Sequence, residues 1–168
     1  EKSEMKDGEI TFTISDIVDI AGNKTNNVVE ATNGRKVILD TVLKVDKLAV
    51  IGKNRHKVEN VYYQYASNDT IVYINARFKE ELAATPIVKL NNKVTLTKAT
   101  KKESEGIWIY SYSYKLNKDD GLEDGVLQVK VTNIKDNAGN TTELTNKHMT
   151  MASQSNIIVD KTLPEIKN

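Results

Sequence analysis

The pattern Asp-x-Ala-Gly-Asn occurs twice in the chain and unites residue types that could shape a turn or bind a metal ion. Its copies consist of Asp19, Ala21, Gly22 and Asn23, and of Asp136, Ala138, Gly139 and Asn140. Glycine can take positive φ, asparagine tolerates the left-handed region, and the carboxylate can accept backbone amide hydrogen bonds. The small alanine would let the loop pack over the end of a sandwich. We therefore expect a structural turn at each copy.

Calcium binding is the alternative chemistry for these residues. The Asp and Asn oxygens of the pattern could ligate Ca²⁺ together with Asp40 or Asp160. The acidic stretch 119–125 is a second calcium candidate, because it holds the carboxylates of Asp119, Asp120, Glu123 and Asp124. It lacks the Asp-x-Asp-x-Asp-Gly spacing of a dedicated calcium loop. A solvated loop between two strands is expected there, and no cofactor is expected apart from the calcium alternative.

The sequence contains no recognisable catalytic arrangement. The two histidines, His56 and His148, stand far apart in polar surroundings, and the chain has no cysteine. A Gly-x-Ser-x-Gly elbow, a His-Glu-x-x-His pair and a phosphate-binding glycine loop are all missing. We expect no enzymatic activity. A Lys–Asn cross-link assisted by a buried acid is a further chemistry open to β-sandwiches, but both residue types are so frequent here that ordinary solvated lysines are expected.

Charge and hydropathy narrow the classes of partner. The formal net charge is +1, and the basic residues alternate with acidic ones along the chain. Nucleic acid is not an expected partner, because phosphate binding needs a clustered basic face. No apolar run approaches the roughly 18 residues of a membrane span, so membrane insertion is not expected. Without a recognisable signal peptide, the sequence reads as a soluble piece of a longer protein.

The two copies of the pattern belong to a longer repeat. Residues 7–23 align without a gap with residues 124–140, at an offset of 117. Residues 37–41 resemble residues 157–162, and the offset between Asp40 and Asp160 is 120, so the second copy carries a three-residue insertion before its closing strand. Residues 1–43 are therefore expected to be the C-terminal strands of one repeat, and residues 44–168 one complete repeat. A period of this length matches one ordinary β-sandwich.

Local patterning predicts strand after strand. The predicted strands cover 9–18, 35–41, 70–78, 86–90, 93–98, 107–116, 126–131 and 156–159. A hairpin turn is expected at Asn91-Asn92, and only residues 79–85 could hold a helical turn. The aromatic face made of Trp108, Tyr110, Tyr112 and Tyr114 is expected to point into the core. The alternative is an outward platform, with Tyr62, Tyr63 and Tyr65, that binds a ligand.

The order of these motifs resembles the tandem Ig-like domains of bacterial cell-surface and adhesin-type proteins. The motifs that carry the resemblance are Phe78, Pro86, Gly106 with Trp108, Asp124-Gly125, the turn at 136–140 and the closing Val-Asp-Lys-Thr-Leu-Pro of 159–164. Two departures from this pattern occur. The first copy continues Thr41-Val42-Leu43 without the proline, and in the second copy Leu163 replaces a small residue. The resemblance implies an all-β, Ig-like antiparallel β-sandwich, with one complete repeat after the last strands of another.

The resemblance also implies a function and a location. The expected role is an extracellular spacer or stalk on a bacterial cell surface or cell wall, with neighbouring Ig-like repeats as partners. The alternative is an adhesin module that binds a host glycan or matrix protein directly. Because unpaired strand edges recruit other chains, residues 1–43 are also expected to pair with a neighbouring molecule by strand exchange, or to dock on the complete domain.

Overall fold

The computed structural model describes residues 5–52, 54–58, 61–149 and 156–165, with the backbone alone for 54–58 and 61–63. Within these ranges the chain forms strands and a single 3₁₀ turn, Asn146–His148. The predicted all-β class is therefore confirmed. No helix in the described ranges is long and apolar enough to cross a membrane. The chain divides into two compact units, Glu1–Val42 and Leu43–Asn168, here called unit 1 and unit 2.

Unit 1 is a small antiparallel arrangement of extended chain. Strands β1 (Gly8–Ile10) and β2 (Val37–Leu39) pair antiparallel, with Glu9 opposite Ile38. Between them, isolated bridges join Ile14 to Val28 and Val18 to Lys24. The predicted strands at 9–18 and 35–41 are therefore correct in place but too long.

The described residues of unit 2 form three four-stranded sheets. Its strands are β3 (Val45–Ile51), β4 (Asn54–Val58), β5 (Val61–Ala66), β6 (Ile71–Phe78), β7 (Ile87–Leu90), β8 (Val94–Leu96), β9 (Thr100–Ser104), β10 (Ile107–Lys115), β11 (Gly125–Val126), β12 (Val129–Lys135), β13 (Thr141–Thr145) and β14 (Ile157–Val159). The sheet orders are β3-β6-β10-β9, β13-β12-β7-β8 and β11-β14-β5-β4. All pairings within them are antiparallel except that of β14 with β5.

The sheets of unit 2 share one hydrophobic core, as a sandwich requires. In β6 the residues Val72, Ile74, Ala76 and Phe78 are buried, and the residues between them are more exposed, which is the two-residue period of a half-buried strand. Strands β7, β12 and β14 contribute Val88 and Leu90, Val129 and Val131, and Ile157 and Val159 to the same core. Strands β3 and β13, which the sequence pattern did not predict, add Leu48, Val50 and Leu144 to this core.

The aromatic face of β10 points into this core, which confirms the prediction. Tyr110 and Tyr112 are buried, and Trp108 and Tyr114 pack against the core from its edge. The Tyr110 ring meets Phe78 edge-to-face, with 5.9 Å between the ring centroids. The platform alternative is wrong for this face. Of the tyrosines named with it, Tyr65 is partly exposed, and the side chains at 62 and 63 lie outside the described residues.

The helical turn that residues 79–85 could have held is not formed, because groups outside the segment bind its backbone N–H groups. Lys79 donates to the Lys44 carbonyl at 2.8 Å, and Ala83 donates to the Lys135 carbonyl at 2.8 Å. Leu82 donates to the Tyr110 hydroxyl at 3.1 Å. These N–H groups cannot also bond the carbonyls four residues earlier, as a helix needs. The 3₁₀ turn at Asn146–His148 was not predicted.

Two further predictions concern a hairpin turn and the continuity of one strand. The hairpin at Asn91-Asn92 is confirmed, because both residues have positive φ, of 46° and 55°, between the paired strands β7 and β8. The single strand predicted at 126–131 is instead divided. Its first part, β11, pairs with β14, and its second part, β12, pairs with β7 and β13. The chain passes from one sheet to another at Leu127-Gln128.

Candidate functional site

The second Asp-x-Ala-Gly-Asn copy is a closed turn between β12 and β13, held by its own side chains. The Asp136 carboxylate accepts the backbone N–H of Asn140 on Oδ1 and the Asn140 side-chain amide on Oδ2, each at 2.8 Å. The Asp136 N–H donates to the Asn140 carbonyl at 3.1 Å. Gly139, which donates to the Asp136 carbonyl, has a φ of 100° that an L side chain rarely adopts.

The Asp136 side chain is buried yet stays ionised. The residue is only 1% exposed. This burial by itself would raise the pKa of the carboxyl, but the hydrogen bonds from Asn140 and from the backbone amides outweigh it and hold the pKa below its ordinary value. The turn therefore keeps a negative charge at neutral pH. Both oxygens of the Asp136 carboxylate accept hydrogen bonds within the loop.

The first copy forms the same turn in unit 1. Asp19 accepts the Asn23 backbone N–H at 2.8 Å and its side-chain amide at 2.7 Å, and Gly22 has a φ of 89°. The side-chain bond from Asn23 is the main cause of the lowered pKa of Asp19. The two turns thus have the same hydrogen bonds, although Asp19 is exposed and Asp136 is not. The turn does not need burial to form.

Two details of the sequence interpretation differ from the structure. Asn140 and Asn23 do not take positive φ, in contrast to the two glycines. They close the turn with their side-chain amides instead. Ala138 is exposed, as is Ala21, so packing of the loop over the sandwich end does not explain this small residue.

A second polar cluster, here called the carboxylate clamp, consists of Asp120, Asp124, Lys161 and Thr162. The Lys161 ammonium lies 2.5 Å from Asp120 Oδ1 and 2.8 Å from the Asn117 carbonyl oxygen. The side chains of Asp120 and Lys161 are only 2% and 12% exposed. The expectation of a solvated acidic loop and of solvated lysines is therefore wrong for this pair.

The surroundings of Asp120 favour its ionised form. Burial would raise the pKa of Asp120, but the bond from Lys161 and the backbone N–H groups of Asn117 and Leu122 lower it below the ordinary value. Burial and the adjacent charge of Asp120 raise the pKa of the Tyr114 hydroxyl, which donates to that carboxylate at 3.3 Å. Lys161 thus supplies the positive charge beside Asp120.

The same contacts bear on a Lys–Asn cross-link. Lys161 contacts the backbone carbonyl of Asn117, whereas the Asn117 side chain contacts Tyr114 and the Asp119 amide. Amide formation requires a neutral amine and a protonated acid nearby. The hydrogen bonds that hold Asp120 ionised oppose the protonated acid, and Lys161 contacts the Asn117 backbone and not its side-chain amide, so this arrangement is an ion pair.

The other half of the clamp repeats in unit 1. Asp124 accepts the Lys161 backbone N–H at 2.7 Å and the Thr162 hydroxyl, which is the main cause of its lowered pKa. In unit 1, Asp7 accepts both the backbone N–H and the hydroxyl of Thr41, at 3.0 and 2.6 Å. In each unit the Asp precedes the short strand and binds the residues that follow its partner strand.

A backbone feature also recurs at the same offset. Asn133 has a φ of 56° at the irregularity in the pairing of β12 with β13. Asp16, which lies 117 residues earlier, has a φ of 57°. The sequence interpretation missed this kink and the clamp, although the repeated Asp-Gly and the Thr shortly after each closing strand were visible signals for the clamp.

His148 and Asp160 have simple structural roles. His148 accepts the Thr145 N–H on Nδ1 at 3.0 Å and so closes the 3₁₀ turn. The side chain of His56 lies outside the described residues. Asp160 donates its backbone N–H to the Ala66 carbonyl at 3.0 Å, with its side chain exposed.

No protein-family model, curated protein or solved structure matches this chain.

Proposed function

We propose that this chain is an extracellular structural spacer, built from tandem Ig-like modules, of a bacterial surface protein. The observation that carries the proposal is the recurrence in both units of the Asp-x-Ala-Gly-Asn turn, here called the Asp-Asn turn, and of the bonds from a Thr hydroxyl and a backbone N–H to Asp7 or Asp124, here called the Asp–Thr bonds. Both devices use their charged groups to bind the chain's own strands. Polar groups used in this way build a repeated support and need no ligand.

Strand order supports the Ig-like part of the proposal. An Ig sandwich places strands A, B, E and D in one sheet and C, F and G in the other. Reading β3, β6, β10 and β9 as A, B, E and D gives the first sheet of unit 2. Reading β8, β7, β12 and β13 as C′, C, F and G gives the second. The remaining strands form the additional sheet β11-β14-β5-β4.

The end of unit 2 is built as a spacer would require. Strand β14 runs parallel to β5, and the clamp immediately follows β14. Force applied through residue 162 along β14 would load its hydrogen bonds together and would also load the Lys161–Asp120 ion pair. We expect single-molecule pulling to show one cooperative unfolding event for unit 2. Lys161→Met should lower its force, whereas Lys147→Met, at an exposed position, should not.

The adhesin alternative predicts a different result. It needs an exposed recognition surface, and the aromatic face considered for that role contributes to the core. Binding of the chain to an array of matrix proteins and glycans, with calcium or with chelator, separates the two functions. A blank array together with the pulling result supports the spacer. A saturable, specific signal would replace the spacer with an adhesive module.

A further inference from the structure

Unit 1 exposes an apolar face whose counterpart in unit 2 is buried. Ile10, Phe12, Ile14 and Val37, here called the acceptor face, are 38%, 44%, 52% and 62% exposed. At the repeat offsets of 117 and 120 they correspond to Leu127, Val129, Val131 and Ile157. Those four residues are 1%, 2%, 0% and 1% exposed. The same face is thus uncovered in unit 1 and covered in unit 2.

The strand that carries this face also has one backbone edge without a hydrogen-bonded neighbour among the described residues. Ile14 exchanges both backbone hydrogen bonds with Val28, at 2.9 and 3.0 Å, which turns the N–H and C=O groups of Thr13 and Ser15 to the opposite side. In the described part of the chain those groups have no hydrogen-bond partner.

In unit 2 the corresponding side is occupied by β7. Lys130 and Thr132, the counterparts of Thr13 and Ser15, lie opposite Lys89 and Ile87. The Gln128 carbonyl accepts the Asn91 N–H at 2.9 Å. By the two-residue period of a strand, the backbone groups of Lys130 and Thr132 are also directed at β7.

A groove lies beside the acceptor face. It has a volume of about 310 Å³ and is lined in part by Ile10, Phe12, Val29, Ala31 and Val37. An open backbone edge next to an apolar groove is the geometry of strand addition, in which main-chain bonds give affinity and alternate side chains fill pockets.

We propose that the acceptor face of unit 1 binds a strand of the β7 type, carried by a segment of repeat sequence equivalent to residues 43–117. The strand adds antiparallel to Thr13 and Ser15, with its apolar side chains over Phe12 and Ile14. The occupant follows from unit 2, where β7 covers the matching residues through Val88 and Leu90. The proposal rests on the repeat relation and is independent of whether the protein acts as a spacer or an adhesin.

An intact second copy of this chain is a poorer occupant. Its β7 is already paired on both sides, with β12 and β8. Donating β7 would require that copy to open its own sandwich and expose Val88 and Leu90. A segment whose closing strands are missing has no such cost, because its β7 equivalent is unpaired on the side that unit 1 offers.

The test supplies the segment at the natural spacing. A second copy of residues 43–117 is fused in front of Glu1 of the full chain, which reproduces the offset of 117. Amide hydrogen exchange is then followed at Thr13 and Ser15. Lys130 and Thr132 in unit 2 serve as paired references within the same molecule. A matched fusion carries Val88→Asp and Leu90→Asp in the added copy only.

The expected result is slowing of exchange at Thr13 and Ser15 by about 100-fold or more in the fusion, with no slowing in the matched variant. Phe12→Asp should abolish the protection, whereas Ile20→Asp, at a fully exposed position outside the face, should leave it. Unchanged exchange at Thr13 and Ser15, with unit 2 still protected, would overturn the proposal. So would an added segment that stays unfolded beside a folded unit 2.

A measurement on the unfused chain tests whether a second copy of the chain is the occupant. Exchange at Thr13 and Ser15 is compared across protein concentration, together with the molar mass in solution. Rates that are independent of concentration in a monomer support an acceptor face that awaits its strand. Protection that increases with concentration, together with dimer formation, would show a second copy as the occupant and refute the assignment to a β7-type segment.

Discussion

Replacing Asp136 by alanine removes the centre of the Asp-Asn turn, and the loss of stability can be estimated from its contacts. The carboxylate accepts two hydrogen bonds from Asn140, each 2.8 Å long, and the residue is 1% exposed. A hydrogen bond to a charged group contributes about 1.5–3 kcal/mol to stability. Because the Asn140 side chain can turn to water after the substitution, we expect a total loss of about 3 kcal/mol for Asp136→Ala.

Urea unfolding followed by Trp108 fluorescence is the assay. Trp108 is the only tryptophan of the chain and lies in β10 of unit 2. With a denaturant dependence of about 2 kcal/mol per molar urea, the midpoint should fall by about 1.5 M. The control is Asp119→Ala, which removes an exposed carboxylate from the same unit and should move the midpoint by less than about 0.3 M. Equal shifts for the two variants would refute a stabilising role of the Asp136 carboxylate.

The pH dependence of stability provides an independent check that the ionised Asp136 carboxylate stabilises the folded unit. The folded-state pKa of Asp136 lies below the ordinary value, so ionised Asp136 stabilises the folded unit above the unfolded pKa of about 3.9. This contribution is lost as the pH falls through the lower folded pKa. The difference between the wild-type chain and Asp136→Ala should stay constant from pH 7 to about pH 5 and shrink below about pH 4. A difference that widens on acidification would contradict the assignment.

Three further predictions follow from the other polar contacts. Lys161→Met leaves the Asp120 carboxylate buried without its counter-ion and should destabilise unit 2 by about 3 kcal/mol in urea titrations, whereas Lys147→Met should have almost no effect. Asn92→Gly should stabilise the hairpin slightly, because glycine adopts the positive φ of this position more easily than asparagine. Asn91→Gly should instead cost about 1 kcal/mol, because the Asn91 side chain also accepts a backbone N–H at 2.7 Å. Millimolar calcium should leave the urea midpoint unchanged, since Lys161 already neutralises Asp120, and a higher midpoint would indicate a bound ion.

Strands β6 and β10 were predictable from the sequence because one face of each is buried, but a buried face was not always sufficient, since β3 buries Leu48 and Val50 and was not predicted. Alternation identified β6 and β10, in which large apolar residues occupy every second position. By contrast, all five residues of β9 (Thr100–Ser104) are exposed. This edge strand is held by backbone bonds to β10, so its side chains carry no period for a sequence pattern to reveal. The break at Leu127-Gln128 was equally hidden, because the alternation of Leu127, Val129 and Val131 continues while the chain changes sheets.

The polar sites were predictable only as far as they are local. The turn at 136–140 closes within five residues, so its types and spacing were sufficient to anticipate the bonds of Asp136. The ion pair in the clamp joins Asp120 to Lys161, which are 41 residues apart. Within the acidic stretch, nothing in the sequence distinguishes the buried Asp120 from the exposed Asp119. That distinction is made by the packing of β14 beside β11, which brings Lys161 to one carboxylate and not to the other.

The two units together separate what sets the geometry of the repeat from what stabilises it. Unit 1 makes the turn and the Asp–Thr bonds while its apolar face is exposed, so these bonds form without a core. Between the copies the apolar side chains change, as from Ile10 to Leu127, whereas the Asp, Gly and Asn of the turn stay the same. A core tolerates exchange of one apolar side chain for another of similar size, but a turn held by a carboxylate and a positive-φ glycine tolerates neither loss. The polar residues therefore fix which side chains face inward, and the core then depends on a strand to cover them.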